Sequence, residues 1–446
     1  MLTNSLGRSD RLNRVHPVSQ WAGKSEAGPL IFDRAEGLWM TDIHGKTYLD
    51  AFAGLWCVNV GYGQKSVVAA AQAQMEKLPY ATGYFDFASE AAIRMAEKVA
   101  ELTPGDLNHV YFSLGGSDAV DSALRFIDYY WTARGQPERK HILSLEKGYH
   151  GSSSTGAGVT GLAPFHAGFS VPTAHQHHIP APGAYRSEDP SDAAVIAASV
   201  QALKDRVHAL GADRVAAFFA EPVQGSGGVI VQPHGWLKAM REACDELGIL
   251  FVVDEVITGF GRTGKMFAQE HEGVQADIMT MAKGMTSGYA PMGACVLSDK
   301  VFEGIAATGG TVGHGYTYSG HPVSAAVGLE VIRLYQEGGI LANAQARAPA
   351  FMAALKRLEA HPLVGEVRGL GLLAAVEIVA DKRRKTPFAA DSGISQKLFS
   401  ALLENGLIAR CFNDGTIGLA PALTISPDQI DLIAERIETS LNTLSL

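Results

Sequence analysis

The sequence is poor in cysteine and in charge, and it has no long apolar run. Its 4 cysteines stand far apart without a CxxC pair, which indicates free thiols in a reducing compartment. Charged residues make up only 19% of the chain, too few for a disordered protein. No apolar stretch approaches the ~20 residues of a membrane span, and residues 1–10 lack a signal-peptide core. We therefore expect a cytoplasmic, globular protein without a membrane partner.

A basic surface stripe is also missing. The formal net charge is −9 and the Lys and Arg residues do not cluster, a balance that argues against a nucleic-acid partner. Apolar residues, in contrast, make up 47% of the 446 residues, which is enough for a large core. A chain of this length predicts two or three structural units.

Hydrophobic patterns divide the chain. Short apolar runs alternate with helical patterns between residues 109 and 297, which predicts an α/β domain with a large, mostly parallel sheet. Longer helices dominate after residue 321, which predicts a smaller α+β domain. Residues 161–192 are rich in Pro, Gly and His without periodicity, and we expect a long ordered loop over the site. The predicted boundaries are 1–60 for an N-terminal segment that packs with the small domain, 61–321 for the large domain and 322–446 for the small domain.

Polar residues directly follow several predicted strands. Asp254 follows one strand, Lys283 follows another, and Gly116 and Ser117 open a helix after a third. Because ligands bind beyond the carboxyl ends of strands in α/β sheets, these residues are expected at one rim. A lysine can form an imine with an aldehyde, a carboxylate can keep a pyridine nitrogen protonated, and helix-start N–H groups bind phosphate. Together they predict pyridoxal 5'-phosphate (PLP) as the cofactor.

The order and context of these residues resemble the class III aminotransferases, which are fold-type I PLP enzymes. The resemblance covers nearly the whole chain and rests on motifs at residues 112–119 (FSLGGSDA), 148–151 (GYHG), 221–225 (EPVQG), 253–264 (VDEVITGFGRTG), 282–284 (AKG) and 316–322 (YTYSGHP). It implies a fold-type I PLP-dependent transferase, with a large mostly parallel sheet domain plus a smaller α+β domain. It also implies amino transfer with ping-pong kinetics.

The resemblance implies a role for each matching position. Lys283 is the Schiff-base lysine and proton carrier, and Asp254 pairs with the pyridine nitrogen. Gly116 and Ser117 hold the phosphate, although the family often has Ser-Gly-Ser where this chain has Gly115, Gly116 and Ser117. The other implied residues are Tyr149 and Val256 on the two faces of the ring, His150 among the cofactor contacts, Glu221 as the acidic residue beside the site and Thr317 from the partner subunit of a homodimer.

Residues 54–63 (GLWCVNVGYG) resemble the pyruvate-dependent ω-amino acid and amine transaminases. That resemblance implies an aromatic pocket for an amine without an α-carboxylate, and core packing is the alternative interpretation of its aromatic residues. The implied pocket consists of Trp56, Tyr84, Phe85 and Tyr149. Ser226 is implied to face the substrate. Arg410 matches an arginine that binds the carboxylate of a keto acid, and its alternative interpretation is a surface arginine.

Several alternatives stay open. The leading hypothesis is amino transfer from an ω-amino acid or amine, such as β-alanine or a diamine, to pyruvate. The alternatives are a 2-oxoglutarate-dependent ω-aminotransferase, an aminomutase or decarboxylase on the same scaffold, and a cofactor-free binding or scaffold protein.

Other motifs favour ordinary structure. Residues 259–265 match nucleotide-binding patterns, but Met266 stands where a magnesium-binding Ser or Thr belongs. Residues 369–374 match a dinucleotide pattern but precede a strand pattern and not a helix. His175, His177 and His178 have no carboxylate or thiol nearby in the sequence. We therefore predict no metal site and interpret these histidines as polar loop residues.

Overall fold

The fold is built on a seven-stranded sheet. A computed structural model describes residues 2–21, 28–389 and 391–444. The strand Gly293–Ser298 runs antiparallel to both of its neighbours, and the other neighbouring pairs are parallel. The expected mostly parallel sheet is therefore confirmed. The strands across the sheet are, in order, Leu107–Ser113, Gly293–Ser298, Ile278–Met281, Leu250–Asp254, Val215–Ala220, His141–Leu145 and Gln176–Ile179.

The central strands are apolar because both faces of the sheet are covered. Every residue of Val215–Ala220 and of Leu250–Asp254 is buried, as expected of parallel strands between two helical layers. The helix Trp236–Leu247 ends at Gly248, whose φ of 64° closes the helix in the left-handed conformation. Further helices of this part are Gly116–Ala133, Gly156–Val159, Asp192–Leu210 and Asp299–Ala306.

Smaller sheets lie outside the large sheet. One contains Phe32–Glu36, Trp39–Asp42, Thr47–Asp50 and Leu407–Ile408, another contains Val364–Leu370, Leu373–Ile378, Thr416–Leu419 and Arg410–Cys411, and a hairpin consists of Val223–Gln224 and Ile230–Val231. Leu407 pairs with Leu49 in parallel. N-terminal strands thus share a sheet with a strand from the C-terminal part, and the packing of residues 1–60 with a small domain stays a prediction. The domain boundaries themselves stay a prediction.

The remaining helices surround these sheets. They are Leu2–Asn13, Ala53–Trp56, Lys65–Lys77, Glu90–Leu102, Pro322–Gln336, Ile340–Lys356, Ile394–Glu404 and Pro427–Asn442. In the part of the chain that the structure describes, none of the helices has the length and apolar character needed to cross a membrane.

The expectation of a long ordered loop over residues 161–192 is wrong in part, because the segment contains the edge strand Gln176–Ile179. Periodicity missed this strand because it carries two histidines and a glutamine at the polar edge of the sheet. Arg206 Nη2 donates to His177 Nδ1 at 3.0 Å, and His177 Nε2 lies 2.8 Å from His141 Nδ1. Since arginine can only donate, His177 Nδ1 must accept, and His177 Nε2–H donates to His141.

This arrangement predicts acid sensitivity. Burial, together with the charge of Arg206, lowers the pKa of His177 from 6.5 to about 4. The folded state therefore binds fewer protons than the unfolded state, and stability is lost as the pH falls from 6.5 towards 4. We expect the melting temperature of His177→Gln to fall less over this range than that of the unchanged protein. The exposed His208→Gln serves as control, and an equal fall in all three proteins would contradict the prediction.

Candidate active site

A cleft of about 320 Å³ opens at the rim where the parallel strands end. Strand ends and the turns after them supply its walls. The structure thus brings together Lys283, Asp254, Gly116 and Ser117, which the sequence analysis expected at one rim. Other residues that line the cleft are Leu114, Gly115, Val120, Tyr149, His150, Gly151, Val256, Ala282, Thr286, Gly288, Ala290, Pro291 and Met292.

Glycine at the start of the helix Gly116–Ala133 leaves the space for an anion. A Cβ atom on Gly116 would lie 3.0 Å from Val256 Cγ1, whereas one on Gly115 would meet nothing within 4 Å. Gly151 has a φ of 96°, and a Cβ atom there would lie 2.9 Å from Ser117 Oγ. Bare backbone therefore surrounds the N-terminus of this helix, where N–H groups and the helix dipole favour a phosphate.

Asp254 is held at the end of its strand by two hydrogen bonds. Its side chain is only 4% exposed, and its Oδ2 atom lies 2.9 Å from His150 Nδ1. Its Oδ1 atom accepts from the backbone N–H of Val256 at 3.1 Å. Burial opposes a charge on His150, but the hydrogen bond to Asp254 and the charge of Asp254 outweigh it and raise the pKa of His150. A carboxylate fixed in this way suits a protonated pyridine nitrogen.

Lys283 follows the strand Ile278–Met281 and lines the cleft. Burial lowers the pKa of Lys283, and the nearby carboxylate of Asp254 opposes that shift. A lower pKa increases the fraction of neutral amine, which is the form that attacks an aldehyde carbon.

Glu221 lies behind the cleft and not among the residues that line it. Its Oε1 atom accepts from the backbone N–H of Tyr149 at 2.9 Å, and its Oε2 atom accepts from that of Gly225 at 3.0 Å. Burial raises the pKa of Glu221 to about 7. Glu221 therefore joins the segment that carries Tyr149 to the hairpin that carries Ser226.

The expected aromatic pocket is only partly assembled within one chain. Trp56 is buried between Phe52 and Phe412, with ring centres at 4.9 Å and 6.4 Å, and does not line the cleft. Tyr84 and Phe85 pack against each other with ring centres 5.6 Å apart, and Phe85 is 86% exposed. Of the four expected pocket residues, Tyr149 lines the cleft.

Three other expected residues also lie outside the cleft. Ser226 is half-buried in the turn of the hairpin, and Thr317 is exposed, with its carbonyl accepting from Tyr80 OH at 2.8 Å. Arg410 is exposed, and its guanidinium carbon lies 5.3 Å from the ring centre of Phe412. Their roles stay predictions.

Sequence reasoning missed part of the cleft wall. Pro291 and Met292 line the cleft just before the strand Gly293–Ser298. This strand is antiparallel, and Gly293 pairs with Ser113 at the end of a parallel strand. The amino end of the strand Gly293–Ser298 therefore reaches the same rim. The rule that ligands bind after strands does not identify residues that precede a strand.

A further feature is the arrangement of possible metal ligands in the described part of the chain. Residues 2–21, 28–389 and 391–444 contain no cluster of three or more His, Cys, Asp or Glu side chains arranged to hold an ion. The three histidines noted in the sequence flank or belong to the edge strand and contact other histidines, Arg206 and backbone groups.

The fold and the cleft define a PLP-dependent enzyme. The phosphate of PLP suits the glycine-lined N-terminus of the helix at Gly116, which we call the glycine cradle. The aldehyde of PLP requires an amine such as that of Lys283, and the ring nitrogen of PLP requires a buried acid such as Asp254. All of these groups line one cleft that is deep enough to leave Asp254 almost fully buried.

Comparison with known proteins narrows this class to a family. The family model described as aminotransferase class-III matches residues 22–441. The putrescine–pyruvate aminotransferase of Pseudomonas aeruginosa is 41% identical over 438 residues, which cover 96% of this chain and 95% of that protein. The chain therefore belongs to the class III aminotransferases, and it is a PLP-dependent aminotransferase.

Solved structures agree with this assignment. An (S)-enantioselective ω-transaminase from Thermomicrobium roseum superposes with a TM-score of 0.96 at 41% identity, over 99% of this chain and 98% of that chain. The ω-transaminase from Pseudomonas jessenii in complex with PMP gives a TM-score of 0.95 at 35% identity, over 98% and 97% of the two chains. The expected fold-type I architecture is confirmed.

The glycine cradle can be tested with two neighbouring alanines. Gly116→Ala places a Cβ atom against Val256, so we expect PLP affinity to fall about tenfold or more, because overpacking a tight site displaces its backbone. Gly115→Ala is the matched control, because its Cβ atom meets nothing within 4 Å. Spectroscopic titration of the apoenzyme with PLP measures both constants. Adding Val256→Ala to Gly116→Ala should restore part of the affinity, and equal affinities for the two single variants would refute the cradle.

Proposed function

We propose that this enzyme transfers an amino group from an ω-amino acid or a simple amine, such as a diamine, to pyruvate by a ping-pong mechanism. The observation that carries the proposal is the meeting of Lys283, Asp254 and the Gly116 cradle in one cleft. The similarity to a putrescine–pyruvate aminotransferase over 96% of the chain supports the choice of amine and acceptor.

In this proposal each residue of the cleft has a defined task. PLP, when bound, supplies an electron sink for the substrate carbon that loses a proton. Lys283 Nζ removes that proton and returns one, and its lowered pKa keeps neutral amine available for the transfer. Asp254 would pair with the ring nitrogen, and the amide groups at Gly116 and Ser117 would bind the phosphate. Tyr149 and Val256 would hold the ring between them, with His150 orienting Asp254 and Glu221 orienting the segment of Tyr149.

Arg410 is our candidate for the carboxylate of the keto acid. It is exposed and lies over Phe412, which in turn stacks on Trp56. Among the described residues no carboxylate forms an ion pair with Arg410, so its planar donors are available for a bidentate contact with an acid. The contact through Phe412 connects this arginine to the proposed amine pocket around Trp56, and the hairpin that carries Ser226 packs into the same buried cluster through Val223 and Val229.

We further propose a homodimer with shared active sites. Several aromatic side chains are exposed on a single chain, namely Tyr80, Tyr84, Phe85, Phe87 and Tyr318. Clustered exposed aromatic surface is typical of an interface. Thr317 lies next to Tyr318 and outside its own cleft, which suits a role in the cleft of a second copy.

We also propose a cytoplasmic location, because the four free cysteines suit the reducing cytoplasm.

The attachment of the cofactor gives the most direct test. We expect Lys283→Ala to abolish the visible absorption of covalently attached PLP and to leave the protein insensitive to borohydride, because Lys283 is the lysine among the described residues that line the cleft. Lys265→Ala, which removes an exposed lysine outside the cleft, should leave both signals unchanged. A Lys283→Ala protein that still traps PLP on reduction would overturn the proposal and revive the cofactor-free alternative.

The acceptor can be tested separately from the amine. For Arg410→Ala we expect about a hundredfold loss of kcat/KM for pyruvate, as a charge-assisted contact is lost, with the amine half-reaction retained within about threefold. Arg134→Ala is the matched control, since that exposed arginine lies 5.5 Å from the ring of Tyr130. Single-turnover measurements of each half-reaction give the two values, and equal losses in both would refute the assigned role.

The same assays separate the alternatives. An aminomutase or decarboxylase keeps Lys283 and Asp254 but turns over without a keto acid. A 2-oxoglutarate-dependent enzyme needs a keto acid but prefers the longer diacid, the acceptor named for the diaminobutyrate–2-oxoglutarate transaminase of Halomonas elongata, which is 35% identical to this chain over 94% of its length. A panel of amines against both acceptors therefore decides among them.

A further inference from the structure

The backbone that carries Lys283 has an unusual conformation. Lys283 has a φ of 43° and Ser287 a φ of 53°, both in the left-handed region that side-chain-bearing residues rarely adopt. Such conformations persist only where the surrounding structure enforces them. The contacts of residues 284–287 should therefore show what holds the lysine in place.

Two hydrogen bonds hold the segment from outside it. Tyr335 OH donates to the carbonyl of Gly284 at 2.7 Å, and the backbone N–H of Val60 donates to Ser287 Oγ at 2.9 Å. Tyr335 is 1% exposed and lies near the end of the helix Pro322–Gln336. The phenol therefore reaches from the C-terminal part of the chain to the carbonyl of Gly284, the residue that follows Lys283.

Asn59 and Phe260 pack closely against Gly284. A Cβ atom on Gly284 would lie 2.6 Å from Asn59 Nδ2 and 2.9 Å from Phe260 Cβ. Arg262 Nη2 donates to Asn59 Oδ1 at 2.7 Å, so the amide nitrogen of Asn59 must point the other way, where it donates to the carbonyl of Phe260 at 3.1 Å. Arg262 thereby fixes the orientation of Asn59.

Arg262 is itself a buried cation with 0% exposure. Its remaining hydrogen bonds go to the carbonyls of Leu372 at 3.0 Å and Pro421 at 2.5 Å, and no carboxylate pairs with it among the described residues. Burying a charge without a counter-charge is unfavourable. Its side chain joins the large-sheet region to Asn59 and to two C-terminal loops, so all of these segments meet behind Lys283.

We propose that Tyr335 is a positioning residue for Lys283, which acts by holding the Gly284 carbonyl while Asn59, oriented by Arg262, fills the space behind it. This inference rests on the proposed role of Lys283 as proton carrier. Loss of the Tyr335 hydroxyl lets the backbone at Lys283 and Gly284 relax towards an ordinary conformation. This relaxation moves Lys283 Nζ away from the reacting carbon. Proton transfer depends steeply on that distance, whereas amine binding does not.

The test compares Tyr335→Phe holoenzyme with Tyr185→Phe. The Tyr185 hydroxyl is buried without a hydrogen-bond partner among the described residues, so it controls for the loss of a phenol oxygen. We expect the amine half-reaction of Tyr335→Phe to slow about tenfold, with KM for the amine unchanged within about twofold. The primary isotope effect with an amine deuterated at the reacting carbon should increase. A pH titration of the bound PLP absorption should shift as well, because Lys283 changes its surroundings.

Two further results complete the test. Ser287→Ala removes the second external anchor and should change the isotope effect in the same direction, which keeps the inference testable if Tyr335→Phe folds poorly. A Tyr335→Phe enzyme with a lower melting temperature but an unchanged rate, isotope effect and pH titration would overturn the positioning role. If instead Lys283→Ala retains attached PLP, the proposed function fails, whichever result Tyr335→Phe gives.

Discussion

The structure depends on the burial of one sheet from both sides. The central strands Val215–Ala220 and Leu250–Asp254 are buried along their whole length, because helices cover both faces of the sheet. The polar groups of the cleft therefore lie at the rim where these strands end, and residues far apart in the sequence meet there. Gly116, Asp254 and Lys283 each stand within a few residues of a strand end, and the only antiparallel strand among those of this sheet brings Met292 to the same rim.

Burial also determines the chemical properties of the groups at that rim. It lowers the pKa of Lys283 and raises that of Glu221 to about 7, whereas at His150 the hydrogen bond to Asp254 and the charge of Asp254 outweigh burial and raise the pKa. Each carboxylate of the site is satisfied by N–H donors: Asp254 by His150 and Val256, Glu221 by Tyr149 and Gly225. These donors hold the site in shape before any ligand arrives, which is what electrostatic preorganisation requires.

A second layer of polar contacts lies behind the lysine. Arg262, Asn59 and Tyr335 come from three distant segments, and none of them lines the cleft. Their bonds converge on Gly284 and its neighbours. Arg262 belongs to the motif at residues 253–264, which supports the family resemblance, yet nothing in that motif indicates a role for the arginine. Its partners are backbone carbonyls of Leu372 and Pro421, and a carbonyl acceptor leaves no mark in the sequence.

The sequence by itself determined the large sheet, the rim and the cofactor. Fully apolar strands such as Val215–Ala220 have a strong local signal, and a strand-end lysine, carboxylate and glycine turn are each recognisable where they stand. Local patterns failed where the neighbours decide the structure. The strand Gln176–Ile179 forms because it pairs with His141–Leu145, and its polar residues hid it. Only the tertiary structure showed that Tyr149 lines the cleft and that Trp56 packs between Phe52 and Phe412, because the periodicity of an aromatic side chain does not identify its neighbours.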